Sequence, residues 1–252
     1  MNNILIHIPH SSYFIPKEYK ELFYLSEKEL LQEQLKMTDS YTNELFDIKS
    51  AEKIIFPISR LVCDVERFRD EKAEEMTKQG MWVCYTKTSD LQPLKKVIKN
   101  HKSEVLKNYY DTHHNMFENT IGQILKTNDK CFIIDAHSFS SKSLPYELHS
   151  QSIRPDICIG TDSFHTPKYI TDYFYRSFKE LGYNIEINNP FCGTIVPTAF
   201  YHKNKKVISI MVEVNRSLYM NEKTGKKLHK FEKIQHDIKQ IIKSFQQNTQ
   251  LM

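Results

Sequence analysis

Several things are scarce in this chain of 252 residues, and each shortage removes a class of protein. Cysteine is limited to Cys63, Cys84, Cys131, Cys158 and Cys192. The number is odd, the spacing wide, and no CxxC pair occurs. A disulfide framework and a thiolate metal centre are both excluded, and most of these thiols sit in apolar runs as buried residues. The six glycines never cluster, so no phosphate-cradling loop can be built from them. No apolar run approaches the roughly 18 residues of a membrane span. The opening Met1-Asn2-Asn3-Ile4 lacks a charged n-region and a long apolar h-region. A reducing, cytoplasmic setting is therefore the expectation. Charge of one sign is scarce too: 35 Lys+Arg stand against 31 Asp+Glu, a net +4 that marks no nucleic-acid surface.

What remains is an ordinary globular composition, 40% hydrophobic and 26% charged. No linker, repeat or low-complexity tract interrupts it, so one domain over residues 1–252 is expected. Short β-branched or apolar runs alternate with amphipathic ones. Strands are expected at residues 4–8, 53–57, 61–65, 82–86, 131–134, 157–160 and 207–214. Helices are expected over 26–48, where Ser26 and Glu29 form a capping box, over 90–127, with Pro93 near its start, over 169–181, closed by Gly182, and from Glu222 to about Gln247. The alternation predicts an α/β fold with a mostly parallel sheet.

In such sheets, functional groups gather at the carboxyl ends of the strands. Polar residues follow apolar runs at Ile8-Pro9-His10-Ser11, Leu61-Val62-Cys63-Asp64, Ile134-Asp135-Ala136-His137-Ser138 and Val212-Glu213-Val214-Asn215-Arg216. Two imidazoles and several carboxylates suit a catalytic zinc centre, which takes three His or carboxylate ligands and leaves one position open. His137 is the first candidate ligand and His10 the second. His7 ranks below His10. Asp64 completes the set, with Glu66 as its competitor two residues on, and the spacing does not choose between them. Asp135 is a candidate to fix the His137 tautomer from behind. Glu213, a carboxylate inside an apolar run, is the candidate general base, because partial burial raises a carboxyl pKa toward neutrality. Arg60, Arg67 and Arg216 offer guanidinium forks for an anionic substrate. His113 and His114 on the long helix point about 100° apart and are discounted as joint ligands. The serines at 138, 140 and 141 lack a G-x-S-x-G elbow.

The ordered set Ile8-Pro9-His10-Ser11, Met37-Thr38-Asp39, Ser59-Arg60-Leu61-Val62-Cys63-Asp64-Val65-Glu66-Arg67, Asp135-Ala136-His137-Ser138, Asn189-Pro190-Phe191-Cys192-Gly193 and Glu213-Val214-Asn215-Arg216 resembles the N-formylglutamate amidohydrolase family. That family is similar in fold to the zinc carboxypeptidases. The resemblance implies a three-layer, phosphorylase/hydrolase-like α/β/α sandwich. It implies Zn2+ as cofactor, held by His10, Asp64 and His137, with Glu213 as catalytic base. A flap around Gly193, together with Asn215 and an arginine, Arg67 or Arg216, would contact the substrate. The implied reaction cleaves N-formyl-L-glutamate to formate and L-glutamate. Two positions depart from the family pattern: Glu66 replaces an Asn, and Thr194 replaces the second glycine of the flap. Another N-acyl amino acid or peptide-like amide is the alternative substrate, and a non-catalytic small-ligand binder is the remaining rival. A small acylated amino acid is the expected partner, with no nucleic acid and no membrane.

Overall fold

The computed structural model describes residues 2–96, 99–148 and 153–249. Six strands form one sheet: β1 (Ile4–Ile8), β2 (Glu52–Ile55), β3 (Cys131–Phe139), β4 (Ile157–Gly160), β5 (Ile185–Ile187) and β6 (Val207–Asn215), in the order β2-β1-β3-β6-β4-β5. β2, β1, β3 and β6 run parallel, while β4 runs antiparallel to β6 and carries β5 parallel to itself. The sheet is mixed and mostly parallel, as expected. β3 and β6 are the long central strands, buried along their whole length, which is why their sequences read as near-continuous apolar runs.

The helices are α1 (Lys17–Lys20), α2 (Glu27–Met37), α3 (Thr42–Leu45), α4 (Lys99–Val105), α5 (Thr112–Thr127), α6 (Lys168–Glu180) and α7 (Phe231–Thr249). The two-residue alternation of the strands sorts their side chains onto two faces. Ile4, Ile6, Ile8, Phe132, Ile134, Ile208, Ile210 and Val212 pack against Ile170, Phe174 and Phe178 of α6 and Ile234, Ile238 and Ile242 of α7. Leu5, Cys131, Ile133 and Val207 pack on the opposite face against Phe117, Ile121 and Ile124 of α5. The result is a three-layer arrangement. Each fully buried Ile or Phe contributes on the order of 1.5–3 kcal/mol by leaving water. No helix among the described residues is long and apolar enough to cross a membrane.

Four local expectations change. The helix expected over 26–48 begins at the Ser26–Glu29 capping box but stops at Thr38. The backbone N–H of Asp39 donates to His10 O at 2.9 Å, and Tyr41 takes a left-handed φ of 69°, so the chain leaves the helical path before α3 resumes it. The apolar runs 61–65 and 82–86 are buried, except at Thr86, but form no ladder. Single bonds such as Asp64 N–H to Val83 O at 2.8 Å satisfy them inside a second core built on Leu61, Val62, Tyr85 and Tyr110. Helix begins only at Lys99 in the segment expected to start near Pro93, which instead bridges to Lys87. From Lys99 the helical path is continuous, with a π-helical stretch, Leu106–Asp111, joining α4 to α5. Val97 and Ile98, two apolar positions of that expected helix, lie outside the described residues. The terminal helix starts at Phe231 rather than Glu222, because a turn closed by Asn221 and a Met220–Lys227 bridge precede it. β5 was not anticipated. The Gly182 cap after α6 is present, with φ 87°.

Candidate active site

The site lies where β3 and β6 run on past the end of β1. β1 pairs with β3 up to His7–Asp135, whereas β3 pairs with β6 through His137–Glu213 and beyond. On these strands every second residue faces α5, so Leu5 and His7, Cys131, Ile133, Asp135 and His137, and Val207 through Glu213 continue one face from apolar core to polar site. His10 joins from the loop that follows β1.

Three side chains converge at the centre. His137 Nδ1 lies 3.0 Å from Asp39 Oδ2, and His10 Nδ1 lies 3.6 Å from the same oxygen. His10, Asp39 and His137 offer ligand atoms that all lie within 4.8 Å of one another, and all three are buried. Each imidazole presents its other nitrogen to a carboxylate: His10 Nε2 is 2.9 Å from Asp64 Oδ1, and His137 Nε2 is 3.1 Å from Asp135 Oδ1. Asp39 is itself steered, because its Oδ1 accepts from Arg216 Nη2 at 2.8 Å. Asp64 accepts from Arg60 Nη2 at 2.8 Å and from the Tyr85 hydroxyl.

The structure thus brings His10 and His137 together as anticipated, but puts Asp39 beside them. Asp64 stands behind His10, and Glu66 faces His7 and His137 at 3.2 and 3.8 Å. Asp64 and Glu66 would share a face only on a strand, and the chain turns there instead. Asp39 escaped the first choice because it looked like a helix interior. Its signal was the Met37-Thr38-Asp39 motif at the point where the helical pattern fails. His7, ranked low, is fully buried between Asp135 and His113.

The electrostatics follow from burial opposed by charge. Burial pushes the Asp39 carboxyl up, but the adjacent His10 and His137 imidazoles and the Arg216 charge outweigh it and hold the group well below the usual range. Asp64 is likewise held well below it, with Arg60, His10 and Arg67 overcoming burial. Burial lowers His137, yet Asp135 and Asp39 raise it well above an ordinary histidine. Glu213 goes the other way. Burial pushes its carboxyl up to about 8, with Asp39 adding to the effect against His137, Arg216 and Arg60. Among the buried atoms here that have no hydrogen-bond partner are His10 Nδ1 and Glu213 Oε2. Buried polarity without a partner is costly.

The anticipated substrate residues divide. Arg216 is spent: Nε and Nη2 donate to Ser138 Oγ at 3.2 Å and Ser138 O at 3.0 Å, and Nη1 donates to Lys36 O, besides the bond to Asp39. Asn215 caps the turn after β6, accepting from Ser217 N–H and donating to Pro155 O. Arg60 is committed to Asp64. Arg67 is the freer fork: its Nε lies 3.5 Å from Asp64 Oδ2 without a hydrogen bond, and its side chain is 20% exposed. Gly193 lies on a loop tied to the sheet by Ile195 N–H to Asp135 Oδ2 at 3.2 Å and by Thr194 Oγ1 to Ser209 Oγ at 2.7 Å. Its carbonyl sits so close to Gly160 that a Cβ there would come within 2.3 Å, so Gly160 must remain glycine for the loop to rest on the strand end.

The donor set suits a metal. Two imidazoles and one carboxylate, each histidine backed by an acceptor on its far nitrogen, are what catalytic zinc takes. The unpartnered His10 Nδ1 is the atom such an ion would take up.

An α/β sheet with such a cluster at its strand ends is a framework on which a hydrolase can be built. The sequence profile of N-formylglutamate amidohydrolase matches residues 2–220. The chain belongs to that family and is a hydrolase acting on an amide bond. Among solved structures it is similar to an N-formylglutamate amidohydrolase from Ralstonia eutropha JMP134, with a TM-score of 0.84 and 17% identity over 98% of this chain and 94% of that one. A gene product from Agrobacterium tumefaciens is similar with a TM-score of 0.64 and 16% identity, over 97% of this chain and 92% of that one. At such identities the likeness concerns the fold. No curated protein matches the chain.

Proposed function

We propose that the chain is a zinc-dependent amidohydrolase that cleaves N-formyl-L-glutamate to formate and L-glutamate, with His10, Asp39 and His137 as the metal-binding residues. The observation that carries the reading is the pair of unspent buried atoms, His10 Nδ1 and Glu213 Oε2, at one strand-end cluster. Zinc, when bound, polarises the formyl carbonyl and makes water acidic enough to deprotonate near neutral pH.

The remaining work falls to the chain's own side chains. Asp64 and Asp135 accept the Nε2 protons of His10 and His137, which leaves both Nδ1 atoms free to ligate. Arg216 turns the Oδ2 of Asp39 toward them. Glu213 takes a proton from water at Oε2 as the water oxygen bonds to the formyl carbon. It returns that proton to the amine nitrogen as the C–N bond breaks. A carboxyl pushed up to about 8 by burial holds and releases a proton near neutrality, as a general base and acid must. Arg67, the freer guanidinium, binds a carboxylate of the substrate. The loop carrying Gly193 and Thr194 covers the bound molecule.

The test is metal analysis together with formate release by purified, zinc-loaded protein. Formate at a rate first order in enzyme supports the reading. N-formylglutamate left intact at millimolar concentration, with turnover of another N-acyl amino acid, would overturn the substrate while sparing the reaction class.

A further inference from the structure

Beside the first cluster lies a second one. His7 Nδ1 is 3.0 Å from Asp135 Oδ1 and 3.2 Å from Glu66 Oε1. The ligand atoms of His7, Glu66 and Asp135 all lie within 4.8 Å of one another. For a tetrahedral ion with bonds of about 2.0–2.1 Å, the expected separation between donors is roughly 3.3 Å. The two measured separations fit that spacing.

The surroundings prepare these atoms in the way that metal sites are prepared. Asp135 Oδ2 is engaged by the backbone N–H of Ile195 at 3.2 Å, so Oδ1, which also meets His137 Nε2, is the oxygen turned to the cluster. The far nitrogen of His7, Nε2, lies 2.9 Å from His113 Nε2, so a ligating His7 donates there and its ring orientation is fixed. Glu66 Oε1 is buried and has no partner beyond its approaches to His7 Nδ1 and, at 3.8 Å, His137 Nε2. Two carboxylates thus converge on one imidazole edge inside the protein, a concentration of negative charge that calls for a positive partner there.

We propose that His7, Glu66 and Asp135 form a second divalent-cation site next to the first. It goes beyond the hydrolytic centre and adjoins it through the ring of His137, whose Nε2 lies 3.1 Å from Asp135 Oδ1 and 3.8 Å from Glu66 Oε1. Glu66 supplies the ligand that distinguishes this second site, because neither His10 nor Asp39 takes part in it. The rival occupant of the same place is a proton on His7 Nδ1, shared with the two carboxylates.

The experiment titrates Zn2+ alone into chelator-stripped protein, with stoichiometry read by calorimetry and by mass spectrometry of the metal after removal of free ion. The wild type is expected to bind two Zn2+ per chain. Glu66→Gln is expected to bind one, and Asp39→Asn also one, because each removes a ligand from a different site. Circular dichroism checks that the variants fold, and Glu66→Asn repeats the first arm with a shorter side chain. One Zn2+ in the wild type, lost in Asp39→Asn and kept in Glu66→Gln, would overturn the second site and leave the hydrolytic centre standing. One Zn2+ lost in Glu66→Gln and kept in Asp39→Asn would support the second site and sink the first. No Zn2+ bound at all would overturn both.

Discussion

Two histidine clusters in this protein invite comparison. One is the strand-end site, and the other joins the loop after β4 to the start of β6. In the second, His165 Nδ1 donates to Val207 O at 2.7 Å, and His165 Nε2 accepts the backbone N–H of His202 at 2.8 Å. Asp162 accepts from the backbone N–H groups of Phe164 and His165 and lies 2.9 Å from His202 Nε2. The His165 ring has spent both nitrogens on backbone, and the cluster holds two segments together. At the strand ends, His10 Nδ1 and Glu213 Oε2 remain unspent although buried. Histidine beside aspartate is common to both. Only the accounting of hydrogen bonds separates the clasp, whose buried polar atoms are all paired, from the cluster that keeps buried atoms unpaired.

That difference can be broken from either side. The largest effect is expected from Glu213→Gln, which keeps the shape and removes the base. The value of kcat should fall about 100- to 10,000-fold while zinc content stays unchanged, as measured by formate release and metal analysis on one preparation. Equal loss of metal and activity would place Glu213 among the ligands instead. Asp64→Asn comes next. It weakens the hold on His10 Nε2, so zinc affinity should drop about 10- to 100-fold in a competition with a chelator, with maximal activity recovered at saturating metal.

The clasp should behave in the opposite sense. His165→Ala removes two hydrogen bonds and leaves polar backbone groups unpaired, so unfolding in urea should show a loss of about 2 kcal/mol. Zinc stoichiometry should not move. A change in metal binding would mean that the two clusters communicate.

The smallest effect concerns Lys95, a buried amine whose Nζ donates to Leu61 O and, at 3.2 Å, to Val62 O, just ahead of Asp64. Burial lowers it to about 8, against a small opposing pull from Cys84 and Cys63. An ordinary lysine titrates at about 10.4. Between those two values the unfolded chain binds more protons than the folded one, so stability rises with pH across that window. Below about 8 the full cost of the buried charge is present. Urea midpoints at pH 8 and pH 10 should therefore differ in the wild type and lose part of that difference in Lys95→Met.

The pattern of apolar runs determined the central architecture by itself. β1, β3, β6 and α6 are legible because their periodicity is strong and their burial complete. The runs at 61–65 and 82–86 misled because an apolar segment wrapped into a second core is as hydrophobic as a strand. β5 is three residues long and too short to announce itself.

At the site, the same division holds. His10, Asp135, His137 and Glu213 could be read from the sequence because each follows or interrupts an apolar strand, where a polar group needs a reason. Which carboxylate stands beside the two histidines was not local information. Asp39 reaches them only because its backbone bonds to His10 and Arg216 crosses from β6 to turn its carboxylate, contacts between residues far apart in the chain. Asp64, four residues from Arg60 and three from Arg67, was drawn behind His10 by those charges. Residue types and strand periodicity set the chemistry available at the strand ends. Long-range packing, which alone decides which oxygen faces which nitrogen, set its arrangement.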